Sequence, residues 1–483
     1  MAPKVLMVRR IVFILVLCTL FSVPLRMLLS ENSAQTELDG LNYQQKNIKR
    51  GVSTDSKGQL LHKQSNSMKQ RTKCSAHLLY NKIFQQENLV HKDLKLEQNI
   101  EKYCGARENV YRILDMDPIR FDPAFKNPCW IGTNDNGPVA DDQIHCLPYF
   151  YILGVKKCGT TDIFSRLNLH PLFKKAGVKE HQWFPRLRFG RAVGNPVSNE
   201  YIKGLIRDGP DVQSVNFYIA MFDPVSRYIQ SNPGRVKTGN GKKVKEWSGQ
   251  KYHIITGDAT TNTMFENPRW RSWPGNEGLS EPHYTNLHYI KHLTPAAKII
   301  IFFRDPVKRL YSDFLYTMRY KFEKLISPQL FHKQVLHTIA AYKDCFKDHS
   351  LRHCFYNETI KENMKQEGIQ FGEAFHGGFY AFLMREIYSV FDKQNVLPLV
   401  MFDKEYSTAK TMKRVFLFLE IGIPDKEVMT MMLRNHSYNN TTKKKRKYGS
   451  MLNETKRVLQ EFYRPYNQEM AEAMKDDRYL FDY

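Results

Sequence analysis

Two short, largely apolar runs, each closed by a turn suited to anions and followed by a segment of helical period, constrain this chain more than any other feature. The first is YFYILGV at 149–155, which runs into Gly154-Val155-Lys156-Lys157-Cys158-Gly159-Thr160-Thr161 and then an amphipathic segment carrying Ile163, Phe164 and Leu167. The second is AKIIIFF at 297–303, which ends in Arg304-Asp305-Pro306 and continues with Val307, Leu310, Tyr311, Phe314 and Leu315 at helical spacing. Unbroken apolar runs of this length read as strands buried on both faces. Strand, tight turn and helix, occurring twice, is the grammar of an α/β fold with a P-loop-like, doubly wound parallel sheet. A third run, VLPLVMF at 396–402, precedes another helical pattern at 411–419.

Gly154 and Gly159 have the G-x-x-x-x-G spacing of a phosphate-binding loop between strand and helix, where successive backbone N–H groups and a helix N-terminus make an anion nest. The lysine that an NTP-hydrolysing loop carries after its second glycine is replaced by Thr160. A bare spacing of this kind is only a glycine-rich turn, but Lys156, Lys157 and the two threonines turn the reading toward a phosphate other than the triphosphate of an NTPase. Arg304 stands at the carboxyl end of a buried strand, where α/β folds bind ligands, and can fork onto a second phosphate, with Ser312 donating from the following helix. Pairing of Arg304 with Asp305 or Asp313 stays open. Together the two motifs describe a nucleotide with phosphates at two separate positions.

The rest of the chain supplies a setting. Lys+Arg number 72 against 49 Asp+Glu, a formal charge of +23, which implies a polyanionic partner. An apolar run at 11–25 continues past Arg26 to 29, about the length of a spanning helix, and no A-x-A-like cleavage site follows. Lys4, Arg9 and Arg10 precede it, so the positive-inside rule puts residues 1–10 in the cytosol, a signal anchor at 11–29 and the remainder in a lumen. That placement excludes nucleic acid. Residues 30–120 read as a polar stem and neck, and 121–483 as the lumenal domain. Three local disulfides suit an oxidising lumen: Cys74 with Cys104, Cys129 with Cys146, and Cys345 with Cys354, which leaves Cys158 over. Asn357, Asn435, Asn439, Asn440 and Asn453 open N-x-[ST] sequons. No metal-ligating motif is present in the sequence, so no obligatory metal is expected.

At its two anion motifs the sequence resembles the sulfotransferases that use 3′-phosphoadenosine 5′-phosphosulfate (PAPS). YILGVKKCGTTDIFSRLNLHP at 151–171 looks like that family's 5′-phosphosulfate loop, and KIIIFFRDPVKRLYSDFLY at 298–316 looks like its 3′-phosphate motif. GNEGLSEPHY at 275–284, CFKDHSLRHCFYNET at 345–359 and EFYRPYN at 461–467 point to the type that sulfates the 6-hydroxyl of N-acetylgalactosamine 4-sulfate in chondroitin or dermatan sulfate. The resemblance covers 121–483 and implies a sulfotransferase fold, a Golgi setting and a sulfated glycosaminoglycan acceptor. It further implies that Lys157 contacts the phosphosulfate and stabilises the leaving phosphate. Gly159, Thr160 and Thr161 would hold the 5′-phosphate, with Lys156 and Cys158 in the same loop, and Arg304 and Ser312 the 3′-phosphate. Glu180, in Lys179-Glu180-His181-Gln182-Trp183-Phe184, falls where the family keeps its general base; an ion pair with Lys179 or Lys175 is the plainer reading. Relatives read Glu-x-His, whereas here His181 directly follows Glu180, which leaves the role of His181 open, with a polar surface residue as the plain reading. GDATTNTMF at 257–265 and the five basic residues at 443–447 are expected near cofactor or glycan. The rival readings are a P-loop kinase, a heparan sulfate sulfotransferase and a non-catalytic polyanion-binding protein.

Overall fold

The structure, a computed structural model, describes residues 112–132, 143–191, 212–232, 252–368, 372–402, 406–434 and 447–481. The apolar run at 11–29, the Cys74–Cys104 pair, the sequons at Asn435, Asn439 and Asn440, and residues 442–446 lie outside them. Among the described residues no helix is long and apolar enough to cross a membrane.

The centre is a parallel sheet. Strands β3 (Phe150–Gly154), β4 (Gly257–Asp258), β5 (Lys298–Phe303) and β6 (Val396–Val400) lie in the order β4-β3-β5-β6, all parallel. The three apolar runs are three of these strands. Ile299 through Phe303 are completely buried, as expected of a central strand covered on both faces. Pro398, opposite Ile301, is tolerated because β6 pairs on one side only and a missing N–H there breaks no second ladder. β4 was not anticipated. Two residues are too short to show a period, and Gly257 is there because a Cβ would fall 2.3 Å from the Phe150 ring.

A separate antiparallel pair, β1 (Cys129–Ile131) and β2 (Ile144–Cys146), is tied by the Cys129–Cys146 disulfide. Cys345 and Cys354 form the second expected bridge, and Cys158 is free and buried. Helix α1 (Thr160–Leu167) follows β3, and helix α2 (Pro306–Lys321) follows β5. Asp305 caps α2 by accepting from the N–H groups of Val307 and Lys308 at 2.9 and 3.1 Å, with Pro306 in the first turn where no N–H is needed. The long C-terminal helix α3 (Asn453–Met474) packs on α2 and buries Leu459, Tyr463 and Met470.

Candidate active site

Strand order brings the two anion motifs side by side. β3, first of the sheet strands in sequence, has the second (β4) on one side and the third (β5) on the other. Chain connections therefore diverge between β3 and β5, and open α/β sheets bind ligands outside the carboxyl ends of the strands at such a switch point. The glycine loop leaves β3 at that end, and Arg304 leaves β5 there. Val155 N–H donates to Phe302 O at 2.9 Å, and Arg304 Nη1 donates to the carbonyl of Lys157 at 3.3 Å. The alternative pairings of Arg304 do not form: Asp305 caps α2 and meets Lys308 at 3.0 Å, while Asp313 meets Lys156 at 3.0 Å.

The loop has the backbone of an anion nest. Lys157 and Gly159 have φ of 72° and 85°, and Gly159 serves as N-cap of α1 with no side-chain cap, which leaves the first N–H groups of the helix facing the loop. Only glycine suits that position, because a Cβ would lie 3.0 Å from the ring of Phe402, itself 52% exposed and 5.3 Å from the Arg304 guanidinium. Thr160 is buried at the start of α1 and Thr161 is half-buried beside it. Cys158 is fully buried with its N–H on Val155 O; burial pushes its thiol up to about 12, so the side chain packs rather than carries charge.

The two lysines differ. Lys156 reaches back to Asp313 on α2. Burial by itself lowers the pKa of Lys156, but the Asp313 carboxylate outweighs that and the pKa is raised. Lys157 instead places Nζ 4.2 Å from the centre of the Tyr316 ring. Ser312 is buried on the same helix, one turn before Tyr316.

Glu180 joins them through β4. The segment 179–182 lies along the exit of that strand: Ala259 N–H donates to Lys179 O at 3.3 Å and Gln182 N–H to Thr260 Oγ1 at 3.2 Å. The Glu180 carboxylate accepts from Lys179 Nζ at 2.8 Å, Gln182 Nε2 at 3.2 Å and Thr261 Oγ1 at 3.4 Å. Burial pushes its carboxyl up, but the charges of Lys179 and then Lys156, together with these hydrogen bonds, hold it below the usual glutamate range. The plainer pairing with Lys179 is thus real, and it coexists with the field of the loop lysine.

His181 is not a surface residue. It is 1% exposed, with Nδ1 3.2 Å from Asp258 Oδ1 and its ring 4.6 Å from Phe222. Asp258 also accepts from Tyr218 Oη at 3.0 Å and from Thr260 N–H and Oγ1 at 3.0 and 2.6 Å. A buried polar cluster therefore underlies the Glu180 segment. Sequence reasoning missed Asp258 and Tyr218, because nothing local in GDATTNTMF says which acid meets His181. Of the basic run, Lys447 is described, and with Tyr448 it meets Glu323 just beyond α2. Among the described residues no group of three or more His, Cys, Asp or Glu is placed to hold a metal ion.

No family profile matches the chain. Carbohydrate sulfotransferase 15 of Homo sapiens is 32% identical over 340 residues, which are 70% of this chain and 55% of that protein. Its Mus musculus counterpart of the same name is 29% identical over 401 residues, 75% of this chain and 66% of that protein. The chain therefore matches less than two thirds of the length of these relatives. The solved structure of a sulfotransferase from Alicyclobacillus acidocaldarius aligns with a TM-score of 0.41 and 16% identity, covering 69% of this chain and 97% of that one.

Proposed function

We propose that this chain, a homologue of the proteins named carbohydrate sulfotransferase 15, is itself a glycosaminoglycan O-sulfotransferase that uses PAPS and has a doubly wound, sulfotransferase-type fold. The observation that carries the reading is the convergence of Lys157, Arg304 and the Glu180 segment at the carboxyl ends of β3, β5 and β4. An uncapped helix start, a glycine cradle and an arginine fork that meets neither Asp305 nor Asp313 are the donor set that two phosphates require. PAPS supplies the activated sulfuryl group. Gly159, Thr160 and Thr161 hold its 5′ side, within the loop that also carries Lys156 and Cys158, and Arg304 and Ser312 hold its 3′-phosphate. Glu180 accepts the proton of the acceptor hydroxyl as that oxygen bonds to sulfur and the sulfur–oxygen bond to the 5′-phosphate breaks. Lys157 meets the charge left on the phosphate oxygen.

The proposed acceptor is the 6-hydroxyl of N-acetylgalactosamine 4-sulfate in chondroitin or dermatan sulfate, supported by the three accessory stretches at 275–284, 345–359 and 461–467. The proposed setting is the Golgi lumen behind a signal anchor at 11–29, with stem and neck at 30–120, the catalytic domain at 121–483, and N-glycans on some of the sequons. Transfer of labelled sulfate from PAPS onto desulfated, 4-sulfated and heparan-type panels tests the reading. Label in 4,6-disulfated disaccharides supports it, label confined to heparan-type chains moves the acceptor, and no transfer to any chain leaves a polyanion-binding protein.

A further inference from the structure

Beside Glu180 two short turns face each other. In one, 182–186, the carbonyl of Gln182 accepts from the N–H groups of Arg186 and Leu187 at 3.1 and 3.0 Å. In the other, 262–266, the carbonyl of Asn262 accepts from the N–H groups of Phe265 and Glu266, both at 3.0 Å. Each turn presents two polar side chains four positions apart, and the two pairs meet. Asn262 Nδ2 donates to Gln182 Oε1 at 3.0 Å and to Glu266 Oε1 at 2.8 Å. Arg186 donates to both oxygens of Glu266, from Nε at 2.8 Å and from Nη2 at 2.7 Å. Asn286 Nδ2 fastens the second turn by donating to the carbonyls of Thr263 and Glu266 at 2.8 and 2.7 Å.

The polarity of this network is set at its two ends. Burial pushes the carboxyl of Glu266 up, but Arg186 and Asn262 hold it below the usual glutamate range, as Lys179 does for Glu180. An ionised carboxylate only accepts. Asn262 therefore has to turn its N–H side to Glu266, and Gln182 its N–H side to Glu180. Gln182 Oε1 is then left facing Asn262, whose second N–H it takes, and reversing either amide would set oxygen against carboxylate. Gln182 is buried with a left-handed backbone, φ 59°, a conformation that its surroundings have to maintain. The outcome is a fixed aim for Glu180. Its Oε1 accepts from Lys179 and Thr261, which alone would let the carboxylate turn about that oxygen, and the bond from Gln182 to Oε2 fixes its plane. A base that takes a proton from a bound hydroxyl loses rate steeply when it is misplaced.

We infer that Asn262 is a positioning residue of the site, which turns the Gln182 amide so that its N–H side holds the plane of the Glu180 carboxylate. The inference rests on the sulfotransferase reading for what Glu180 does, but the network is testable apart from it. The experiment uses the full chain with Asn262→Ala, Gln182→Gly and the double variant Gln182→Gly/Asn262→Ala; glycine suits the left-handed backbone at 182. Lys179, Lys156 and, across the network, Glu266 are unchanged in all three. Two readouts are taken. One is kcat and donor KM against pH for transfer from labelled PAPS to chondroitin 4-sulfate. The other, without substrates, is the pH at which Glu180 opens to carbodiimide-driven amidation, which needs the protonated carboxyl, followed by peptide mass spectrometry.

Gln182→Gly is expected to lower plateau kcat by about 10- to 100-fold, the worth of a hydrogen bond to a charged group, and Asn262→Ala by about 2- to 10-fold, the worth of a neutral one. Donor KM changes little in either. Both variants move the acid limb of kcat and the amidation midpoint toward neutral pH, because a donor to the charged form of Glu180 is lost or loosened. In the double variant the alanine substitution adds nothing to the effect of glycine. A parent-like acid limb and amidation midpoint in Asn262→Ala, a full alanine effect in the Gln182→Gly background, or a donor KM that rises in step with the fall in kcat would overturn the inference. If the parent protein sulfates no acceptor, the sulfotransferase reading fails, and the amidation series alone decides whether Asn262 sets Gln182 against Glu180.

Discussion

Lys156 Nζ lies 3.0 Å from Oδ1 of Asp313, a carboxylate with no solvent exposure. The other oxygen of Asp313 is 4.0 Å from the guanidinium of Arg309, also buried, so one acid on α2 faces two cations and ties the glycine loop to the helix that follows β5. Asp313→Ala leaves Arg309 buried without that countercharge. It should lower the unfolding free energy by about 3–5 kcal/mol, the usual result of breaking a buried pair by removing one partner. Denaturant titration with unchanged slope checks it. Lys156→Met, which removes the more exposed partner, should cost less stability than Asp313→Ala and less turnover than Lys157→Met.

The cluster beneath Glu180 predicts a second stability loss with a pH signature. Burial pushes the carboxyl of Asp258 up, but His181, Thr260 and Tyr218 outweigh it and hold the group below the ordinary aspartate range. A carboxyl depressed on folding adds stability above its unfolded pKa of about 3.9, and that stability is lost as pH falls through the lower folded value. Asp258→Asn should therefore be less stable at neutral pH and show a shallower loss of stability in acid than the parent. Unfolding midpoints measured between pH 7 and the acid limit read both. An unchanged acid slope would remove Asp258 from the cluster's electrostatics.

Two bridges staple segments outside the parallel sheet, and each should contribute through the loop it closes. With sequence separations of 9 and 17, the chain-entropy estimate is about 2.5 kcal/mol for Cys345–Cys354 and about 3 kcal/mol for Cys129–Cys146. Paired serine substitutions at each bridge, followed by chemical denaturation, should show losses in that order. Cys158 should resist alkylation in the native, unreduced protein and react once the chain is unfolded.

The sheet was largely legible because its strands are set by composition: a fully buried parallel strand has to be apolar throughout, and 150–154, 298–303 and 396–400 are nearly so. The anion loop was legible because Gly159 and its neighbours act through backbone, which leaves a spacing in the sequence. The partners of those residues were not. Lys156 finds Asp313 more than 150 positions away, and His181 finds Asp258 through a strand of two residues, GD, that carries no period. Read alone, His181 is one more polar residue in a polar loop. Only the parallel pairing of β3 with β4 brings the exit of β4 under it.

Glu180 supplies the most direct test of the chemistry. A general base has to be ionised, so its activity is constant where the carboxylate is charged and is lost as pH falls through its pKa. Burial alone would raise that pKa, yet Lys179 at 2.8 Å, the charge of Lys156 and the Gln182 amide reverse the effect, and the acid limb should lie below the ordinary glutamate value of about 4.3. Lys179→Met removes the strongest of the lowering influences, leaves burial in place, and should move the acid limb of kcat toward neutral pH. Glu180→Gln should reduce turnover by roughly 100-fold or more on the plateau above the acid limb, and lose that limb, while donor binding persists. Profiles of kcat against pH for the parent and both variants, with donor affinity measured alongside, decide the assignment. An acid limb that ignores Lys179→Met, or near-normal turnover in Glu180→Gln, would mean that another group takes the proton.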